Sequence, residues 1–366
     1  MHSSNIGGID MIERVNKLQA QLEMNGIDGL LVTKRENIRY LSGFTGSSGV
    51  ILVTAKAASF ITDFRYTEQA ASQVTGYDII ELETSLIKSV SDIASREGVK
   101  RLGIEQDDMT VGTYRTYEKE VAAELVETSG IVEKLRLIKD EAEIKIMKEA
   151  AAIADAAFTH IQTFIRPGRT EKEVANELEM FMRGQGADSS SFDMIVASGH
   201  RSALPHGVAS DKVIEAGELV TLDFGAYYKG YCSDITRTLA VGKISDKLRE
   251  IYDTVLRAQL AGVEGTRAGI TGIEADALTR DVIKEAGYGE YFGHSTGHGL
   301  GMEVHEAPGL SFRSDTVLEP GMVVTIEPGI YIAGIGGCRI EDDVVITKDG
   351  NVRLTQSPKE LITIEA

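Results

Sequence analysis

Acidic residues occur in pairs at two places where apolar runs flank a turn. In the first, VTLDFGAYYKGYCSDITRTLAV (220–241), Asp223 and Asp234 lie about equally far from a turn at 228–230. This pattern predicts a β-hairpin, and opposed positions across a hairpin bring two Cβ atoms to about 5 Å. Two carboxylates that close, among apolar neighbours, repel each other strongly unless a cation lies between them.

The same arrangement recurs nearer the C-terminus. The runs VVTIEPGIY and CRIEDDVVIT flank a glycine-rich turn at 334–337, and Glu327 and Glu341 are equally distant from Gly334. The four acids carry four negative charges, which two divalent cations would neutralise. The sequence therefore predicts two hairpins whose acids hold a pair of metal ions.

Histidines cluster in two short stretches that could complete such a site: His200 and His206, then His294, His298 and His305. His298 lies in GHSTGHGLG, where glycines permit close backbone approach, so we interpret it as a metal ligand. One imidazole and four carboxylates form a mostly hard ligand set that suits Mn²⁺ and also Co²⁺ or Zn²⁺. Two such ions ~3.5–4 Å apart activate water and stabilise a charged intermediate, which is hydrolytic chemistry.

Two domains are expected to position these residues, because 366 residues exceed the usual size of one domain. In the first part, apolar runs alternate with polar helical stretches such as 13–24, which predicts an α/β domain. A charged segment at 133–145 leads into a long helix that should end before Arg166-Pro167-Gly168. The predicted domains are 11–132 and 133–366. The apolar runs of the first are GLLVT, GVILVT, SFIT, DIIEL and RLGIE.

The second domain contains an internal repeat. EAGELVTLDFG (215–225) aligns with EPGMVVTIEPG (319–329), with five of eleven positions identical and an acid at the same place in each. Capping-box patterns also recur, at TEKE (170–173) and TGIE (271–274). Self-similarity at one spacing predicts two equivalent halves, and a site in the cleft between them.

Composition excludes several classes of partner. A net charge of −18 argues against binding to nucleic acid or anionic lipid, and no apolar run approaches the ~20 residues of a membrane-spanning helix. Residues 1–10 lack the apolar core of a secretory signal and are interpreted as an added remnant before a natural start at Met11. Cys232 and Cys338 make no disulfide framework, which predicts two buried thiols and a cytoplasmic location.

The motifs together resemble the pita-bread metallopeptidases, and within them the aminopeptidase P and prolidase branch. The resemblance implies an α/β creatinase-type domain followed by an α+β pita-bread catalytic domain with a pseudo-twofold repeat. It also implies a homodimer and a dinuclear-metal exopeptidase that cleaves Xaa-Pro bonds at peptide N-termini or in dipeptides. The segments that carry it are SGHRSALPHG, LDFGAYYKGYCSDITRT, GHSTGHGLGMEVHEAPG, TIEPGIY and RIEDD, with YLSGFTGSSG and ITDFRYTEQA in the N-terminal part.

The resemblance also implies roles for individual residues. Asp234 and Glu341 would bridge both metals, and Glu327 would take a proton from the nucleophilic water and pass it to the departing nitrogen. The positions that match the family's metal ligands are Asp223, Asp234, His298, Glu327 and Glu341.

Further residues match positions around the ligands. His206 and His305 correspond to histidines that contact the substrate and the tetrahedral intermediate, and Arg339 to an arginine behind the ligands. Tyr231 is either a further donor behind the ligands or a core tyrosine. His294 is either a supporting residue or a loop residue, and the sequence leaves both alternatives open.

Three other functions share part of this pattern. A methionine aminopeptidase has the same five ligands, but the N-terminal domain and the RIED motif argue against it. A creatinase-type C–N hydrolase works without metals, and a non-catalytic peptide-binding relative typically loses ligands, whereas all five ligand types are present here. Substrate length, the Xaa preference and the native metal stay open.

Overall fold

The computed structural model describes residues 9–366, so residues 1–8 of the predicted N-terminal remnant lie outside the described residues. The chain divides into two compact units, Met1–Arg136 and Leu137–Ala366, and the predicted boundary near residue 133 falls within the last helix of the first unit. Asp10 belongs to the described fold, because its carboxylate accepts hydrogen bonds from the N–H groups of Ile12 and Glu13 and so caps the first helix.

The first unit is an α/β structure built on a six-stranded sheet. Its strands are β1 (Gly29–Val32), β2 (Val50–Thr54), β3 (Ala58–Thr62), β4 (Asp78–Glu81), β5 (Arg101–Glu105) and β6 (Glu124–Thr128). Its helices are α1 (Met11–Met24), α2 (Arg35–Ser42), α3 (Thr67–Gln73), α4 (Leu86–Arg96), α5 (Val111–Glu120) and α6 (Ile131–Arg136). The strand order is β4-β3-β2-β1-β5-β6.

All five apolar runs predicted as strands are confirmed, as β1 to β5. The strand β6 was missed, because its sequence ELVET has only two apolar residues between two glutamates and is only half-buried at the sheet edge. Strands β5 and β6 pair in parallel with β1 and β5 respectively, whereas β1, β2 and β3 form antiparallel pairs.

The second unit consists of two similar halves, each with a helix pair followed by antiparallel strands. The first half contains α7 (Glu141–Ile161), α8 (Glu171–Gly184), β7 (Ser189–Ser190), β8 (Ile195–Ser198), β9 (Glu218–Phe224), β10 (Ala226–Tyr228), β11 (Tyr231–Cys232) and β12 (Ile235–Val241). The second contains α9 (Asp246–Gly265), α10 (Gly272–Glu285), β13 (Gly297–Gly299), β14 (Glu306–Leu310), β15 (Val323–Ile326), β16 (Gly329–Ile332), β17 (Gly336–Arg339), β18 (Asp342–Thr347) and β19 (Gly350–Arg353). A last short strand, β20 (Thr363–Ile364), pairs with β12 of the first half.

The internal repeat predicted from sequence is confirmed by matching backbone contacts in the two halves. Both predicted capping boxes form, at the start of α8 and of α10. The N–H of Gly168 donates to Ile214 O at 3.0 Å, and the N–H of Gly269 donates to Leu318 O at 2.9 Å. The same short bridge therefore ties each helix start to the chain segment that leads into its central hairpin.

The first predicted hairpin forms, but its register differs from the prediction. The turn is the two residues Lys229 and Gly230, both at positive φ, as a tight hairpin turn requires. Asp223 pairs with Thr236 rather than with Asp234. The two acids are therefore diagonal neighbours on one face of the hairpin, and the prediction that they oppose each other directly was wrong.

The second hairpin has the predicted register. Ile326 pairs with Asp342, and Gly329 pairs with Arg339, so Glu327 and Glu341 face each other between these pairs. Residues 336 and 337 belong to β17 rather than to the turn, because each pairs with a residue of β16. The turn is therefore shorter than predicted, at 333–335.

Apolar packing holds each helix pair against its strands. In the first half, Val174 and Leu178 of α8 pack in one buried cluster with Val220 and Leu222 of β9. In the second half, Ala275 of α10 lies in a cluster with strand residues of β15 and β18. Cys232 and Cys338 are buried, unbridged thiols, as predicted. Within residues 9–366, no helix combines the length and apolarity that crossing a membrane requires.

Removing one capping hydroxyl tests the contribution of the repeated helix starts. Thr170→Ala is expected to lower the free energy of unfolding by about 1 kcal/mol, because the N–H of Glu173 loses its acceptor. Chemical denaturation measures the change. Thr159→Ala, on the exposed face of α7, is the control and should cost nothing, since alanine is the better helix former. Equal stability of the two variants would contradict the capping role.

Candidate metal centre

A cavity of about 510 Å³ lies in the second unit and collects the predicted site residues. Both hairpins, the glycine-rich loop before β13 and the segment before β9 contribute to its wall. Nine of the ten predicted residues line it: His206, Asp223, Asp234, His294, His298, His305, Glu327, Arg339 and Glu341.

Tyr231 is the predicted residue that the structure places elsewhere. Its hydroxyl donates to Glu143 Oε1 of α7 at 2.8 Å, and both side chains are buried. The tyrosine therefore ties β11 to α7 and does not line the cavity, which agrees with its interpretation as a core residue.

Three of the predicted ligands form a compact group. One ligand atom from each of Asp234, His298 and Glu341 lies within 4.8 Å of the other two. His298 Nε2 lies 3.2 Å from Glu327 Oε1 and 3.8 Å from Asp234 Oδ2. Asp223 reaches the same cavity from β9. The hairpins and the histidine loop thus converge, as their sequence pattern predicts.

Backbone and side-chain contacts fix the orientation of His298. Its Nδ1 is 3.0 Å from Gly299 O, and because a carbonyl can only accept, Nδ1 carries a proton and Nε2 is the nitrogen that faces the acids and could bind a metal ion. The N–H of His298 donates to Thr325 Oγ1 at 3.1 Å. Glycine is required before it, since a Cβ at Gly297 would lie 1.9 Å from Thr325 O.

Buried oxygens without partners indicate that these acids fit a cation. Within the described part of the chain, Asp234 Oδ1 and Glu341 Oε1 are buried and have no hydrogen-bond partner. Burial and the neighbouring carboxylates raise the pKa of both Asp234 and Glu341 well above the usual range. A divalent cation would supply the missing partner and keep the acids ionised. The residues present therefore fit a metal site.

The remaining two predicted ligands, Asp223 and Glu327, each have a neighbouring group whose positive charge lowers the pKa of the carboxylate. Burial raises the pKa of Asp223, against the lowering effect of the Arg339 charge. Burial would also raise the pKa of Glu327, but the hydrogen bond and charge of His298 lower it to about 2. Burial opposes protonation of His298, whereas Glu327 favours it, and the net effect raises the pKa of His298. Without metal, His298 and Glu327 therefore form an ion pair.

Hydrogen bonds join the two hairpins directly behind the acids. Thr236, in β12, donates through Oγ1 to Glu341 Oε2 at 2.6 Å, and its carbonyl accepts from the N–H of Glu341 at 3.1 Å. The N–H of Asp234 donates to Asp343 Oδ2 at 2.9 Å. Each of the two acids predicted to bridge the metals is thus held by a residue of the other hairpin.

Arg339 is buried and contacts one of the predicted ligands. Its guanidinium donates to Asp223 Oδ2 at 2.5 Å, to Tyr331 Oη at 2.7 Å and to Pro205 O at 3.2 Å. Its Nε donates to Thr236 Oγ1 at 3.2 Å. The arginine therefore links Asp223 to the second hairpin and to the segment that carries His206.

Tyr331 and Asp343 also support the site, although neither was predicted from the sequence. Tyr331 Oη accepts from Arg339 and lies 2.8 Å from His294 Nε2. A buried tyrosine usually finds a partner for its hydroxyl, so a tyrosine four residues after Glu327 on an apolar strand was an available signal. Asp343 was readable as the last acid of RIEDD, but no sequence pattern showed that it would hold the N–H of Asp234.

His294 lines the cavity with both ring nitrogens occupied. Its Nδ1 donates to Ser295 O at 2.7 Å, so Nε2 accepts from the Tyr331 hydroxyl. Burial lowers the pKa of His294, which favours this neutral form. The histidine is thus a supporting residue, one of the two alternatives that its sequence left open.

His206 and His305 present exposed imidazoles to the cavity. The ring of His305 lies 4.3 Å from that of His298, and burial together with the nearby histidines lowers the pKa of His305. The next residue, Glu306, forms a buried ion pair with Lys139 at 3.1 Å, which anchors the backbone beside His305. His200 is exposed and does not line the cavity.

Comparison with family models gives two matches along the chain. Residues 145–348 match the model of metallopeptidase family M24. Residues 14–138 match the model of the creatinase/prolidase N-terminal domain. The first match includes all five predicted ligand positions.

Individual relatives and solved structures agree with these matches. An uncharacterised peptidase of Bacillus subtilis (strain 168) is 64% identical over 354 residues, which cover 96% of this chain and 99% of the relative. The structure of an Xaa-Pro dipeptidase from Bacillus anthracis is 63% identical, with a TM-score of 0.96 over 97% of this chain and 100% of that one. The X-Pro aminopeptidase from Thermotoga maritima is 41% identical, with a TM-score of 0.89 over 93% of this chain and 99% of that one.

Removal of one hydroxyl tests the support behind Asp223. Tyr331→Phe is expected to weaken Mn²⁺ binding by about tenfold, because Arg339 and His294 both lose the group that orients them. Calorimetric titration with Mn²⁺ measures the affinity. Tyr291→Phe, at an exposed tyrosine, is the matched control and should bind as the wild type does. Unchanged affinity in the Tyr331 variant would rule out this role.

Proposed function

This chain belongs to metallopeptidase family M24, and from that premise we propose that it is a metal-dependent exopeptidase that hydrolyses Xaa-Pro bonds. The observation that carries the proposal is the convergence of nine predicted site residues on one cavity whose buried acids need a cation. Relatives named Xaa-Pro dipeptidase and X-Pro aminopeptidase support the choice of bond.

We propose that the five predicted ligands would hold two divalent ions, and the resemblance implies that Asp234 and Glu341 would be the shared ligands. When bound, such ions lower the pKa of water and offset negative charge on the substrate carbonyl oxygen. Mn²⁺ suits the hard ligand set, and Co²⁺ or Zn²⁺ is also accepted by it. The ligand residues are Asp223, Asp234, His298, Glu327 and Glu341.

The chain's own residues then position the substrate and move the proton. Glu327 faces Glu341 across the hairpin and lines the cavity, so its carboxylate can accept a proton from the attacking water and deliver it to the proline nitrogen. His206 and His305 are exposed to the cavity and can donate N–H groups to the carbonyl oxygen as it gains charge.

The cavity also suits a proline after the cleaved bond. An Xaa-Pro bond has no N–H, so a site for it cannot depend on accepting that hydrogen bond. Apolar side chains form part of the wall and can contact the pyrrolidine ring. They are Phe192, Ile195, Val208 and Val304.

Assembly and location are proposed from the sequence. We infer a homodimer from the resemblance to the aminopeptidase P and prolidase branch. We infer a cytoplasmic location because both cysteines are buried, unbridged thiols, as expected in a reducing compartment. The strongly acidic composition argues against partners that carry phosphate backbones.

Two assays separate this function from its rivals. Hydrolysis of Xaa-Pro peptides with Mn²⁺, Co²⁺ or Zn²⁺, compared with hydrolysis of Met-Ala peptides, distinguishes the proposal from a methionine aminopeptidase. Metal analysis after reconstitution distinguishes it from a metal-independent C–N hydrolase and from a non-catalytic relative. Near two ions per chain and cleavage confined to Xaa-Pro bonds are the expected results. Absence of metal, or preference for Met-Ala, would refute the proposal.

Loss of one shared ligand tests the metal assignment. Asp234→Ala is expected to reduce Xaa-Pro hydrolysis more than about 100-fold and to lower the bound metal to one ion per chain or fewer, because the acid would contact both ions. Turnover assays and metal analysis measure the two effects. The control is Asp211→Ala, which removes a solvent-exposed acid that does not line the cavity. Near wild-type turnover of the Asp234 variant would contradict the assignment.

A further inference from the structure

The charged residues on the cavity wall bear on the length of the substrate, which the Xaa-Pro assignment leaves open. A dipeptide places a free carboxylate directly after proline, whereas a longer peptide places a neutral amide there. An anion bound in a cavity needs a cation or several donors to offset its desolvation. The charges on the cavity wall therefore discriminate between the two substrate classes.

Among the described residues that line the cavity, Arg339 is the only lysine or arginine. Its side chain is 3% exposed, and its guanidinium is engaged by Asp223, Tyr331, Thr236 and Pro205. An arginine held in this way cannot turn to a substrate carboxylate without releasing Asp223. The one cation on the wall is therefore committed to the metal ligands.

No other lysine or arginine lies on the wall that the described residues form. Two divalent ions would offset the four ligand carboxylates, and the remaining acid on the described wall, Asp193, is exposed. His294 is neutral with both nitrogens occupied. His206 and His305 are exposed to the cavity, and each can offer an imidazole N–H.

We propose, on the basis of the proposed function, that this chain is an aminopeptidase for peptides that continue beyond proline, Xaa-Pro-Yaa and longer, rather than a dipeptidase. The neutral carbonyl of the next peptide bond can accept a hydrogen bond from the imidazole donors on the wall and needs no cation. The free carboxylate of an Xaa-Pro dipeptide meets no free lysine or arginine on that wall.

One glycine on the wall offers a place where the missing cation can be restored. Gly309, in β14, lines the cavity, and a Cβ built there meets no atom within 4 Å. Its φ is outside the positive range that only glycine tolerates readily. A longer side chain at this position can therefore extend into the cavity without displacing backbone.

Three substrates that differ only after proline test the inference on the metal-loaded enzyme. Ala-Pro-NH₂ and Ala-Pro-Ala are expected to show kcat/KM values about tenfold or more above that of Ala-Pro, because the dipeptide alone buries an unpaired charge. The amide adds no length, so it separates charge from chain length. Reduced-bond analogues of Ala-Pro and Ala-Pro-NH₂, which cannot be cleaved, should show the same order of affinity in calorimetric titrations.

Variants at Gly309 test the cause of the preference. Gly309→Arg is expected to raise kcat/KM for Ala-Pro relative to Ala-Pro-NH₂ by about tenfold, because it supplies a cation to the carboxylate. Gly309→Gln, of similar length but uncharged, is the matched control and should keep the wild-type ratio. An unchanged ratio in the arginine variant would contradict the missing cation as the cause.

The outcomes separate this inference from the function on which it rests. Cleavage of Ala-Pro as fast as Ala-Pro-NH₂, or faster, overturns the inference alone. Failure to cleave any of the three substrates with Mn²⁺, Co²⁺ or Zn²⁺ refutes the Xaa-Pro function itself. Preference for the amide and the tripeptide supports both.

Discussion

Repulsion among buried carboxylates is the constraint on which the second unit depends. Asp223, Asp234, Glu327 and Glu341 line one cavity, and Asp343 lies buried directly behind them. Burial and mutual repulsion raise the pKa of Asp234, Glu341 and Asp343 well above the usual range, so these acids would favour the protonated form unless a cation offset their charge. A fold that keeps these carboxylates together favours cation binding, because metal ions offset the buried negative charge.

The contacts around the acids determine which of their oxygens could bind a cation. Arg339 places one positive charge against Asp223, while Thr236 and the N–H of Asp234 use hydrogen bonds to fix Glu341 and Asp343. These contacts leave Asp234 Oδ1 and Glu341 Oε1 without partners within the described chain. The oxygens without partners therefore mark where a cation would be held, and the hydrogen-bonded oxygens fix the orientation of the carboxylates.

The duplicated architecture explains both the similarity and the difference of the two hairpins. Equivalent bridges at Gly168 and Gly269 show that the halves share a backbone plan. In the first hairpin the acids are diagonal, whereas in the second they face each other. The first pair consists of aspartates and the second of glutamates, which have longer side chains. Side-chain length and strand register therefore differ together between the two halves. His298 has no counterpart among the predicted ligands of the first half, which makes the centre asymmetric.

The sequence by itself determined the class of the two domains, five strands of the first sheet, the capping boxes, the repeat and the identity of the acids and histidines on the cavity wall. These features follow from local periodicity and spacing, which a sequence displays directly. Only the tertiary structure decided the register of Asp223 against Thr236, the withdrawal of Tyr231 to Glu143 and the link from Arg339 through Tyr331 to His294. These depend on contacts between residues distant in the chain, and the direction of a side chain on a strand is set by pairing that no local pattern specifies.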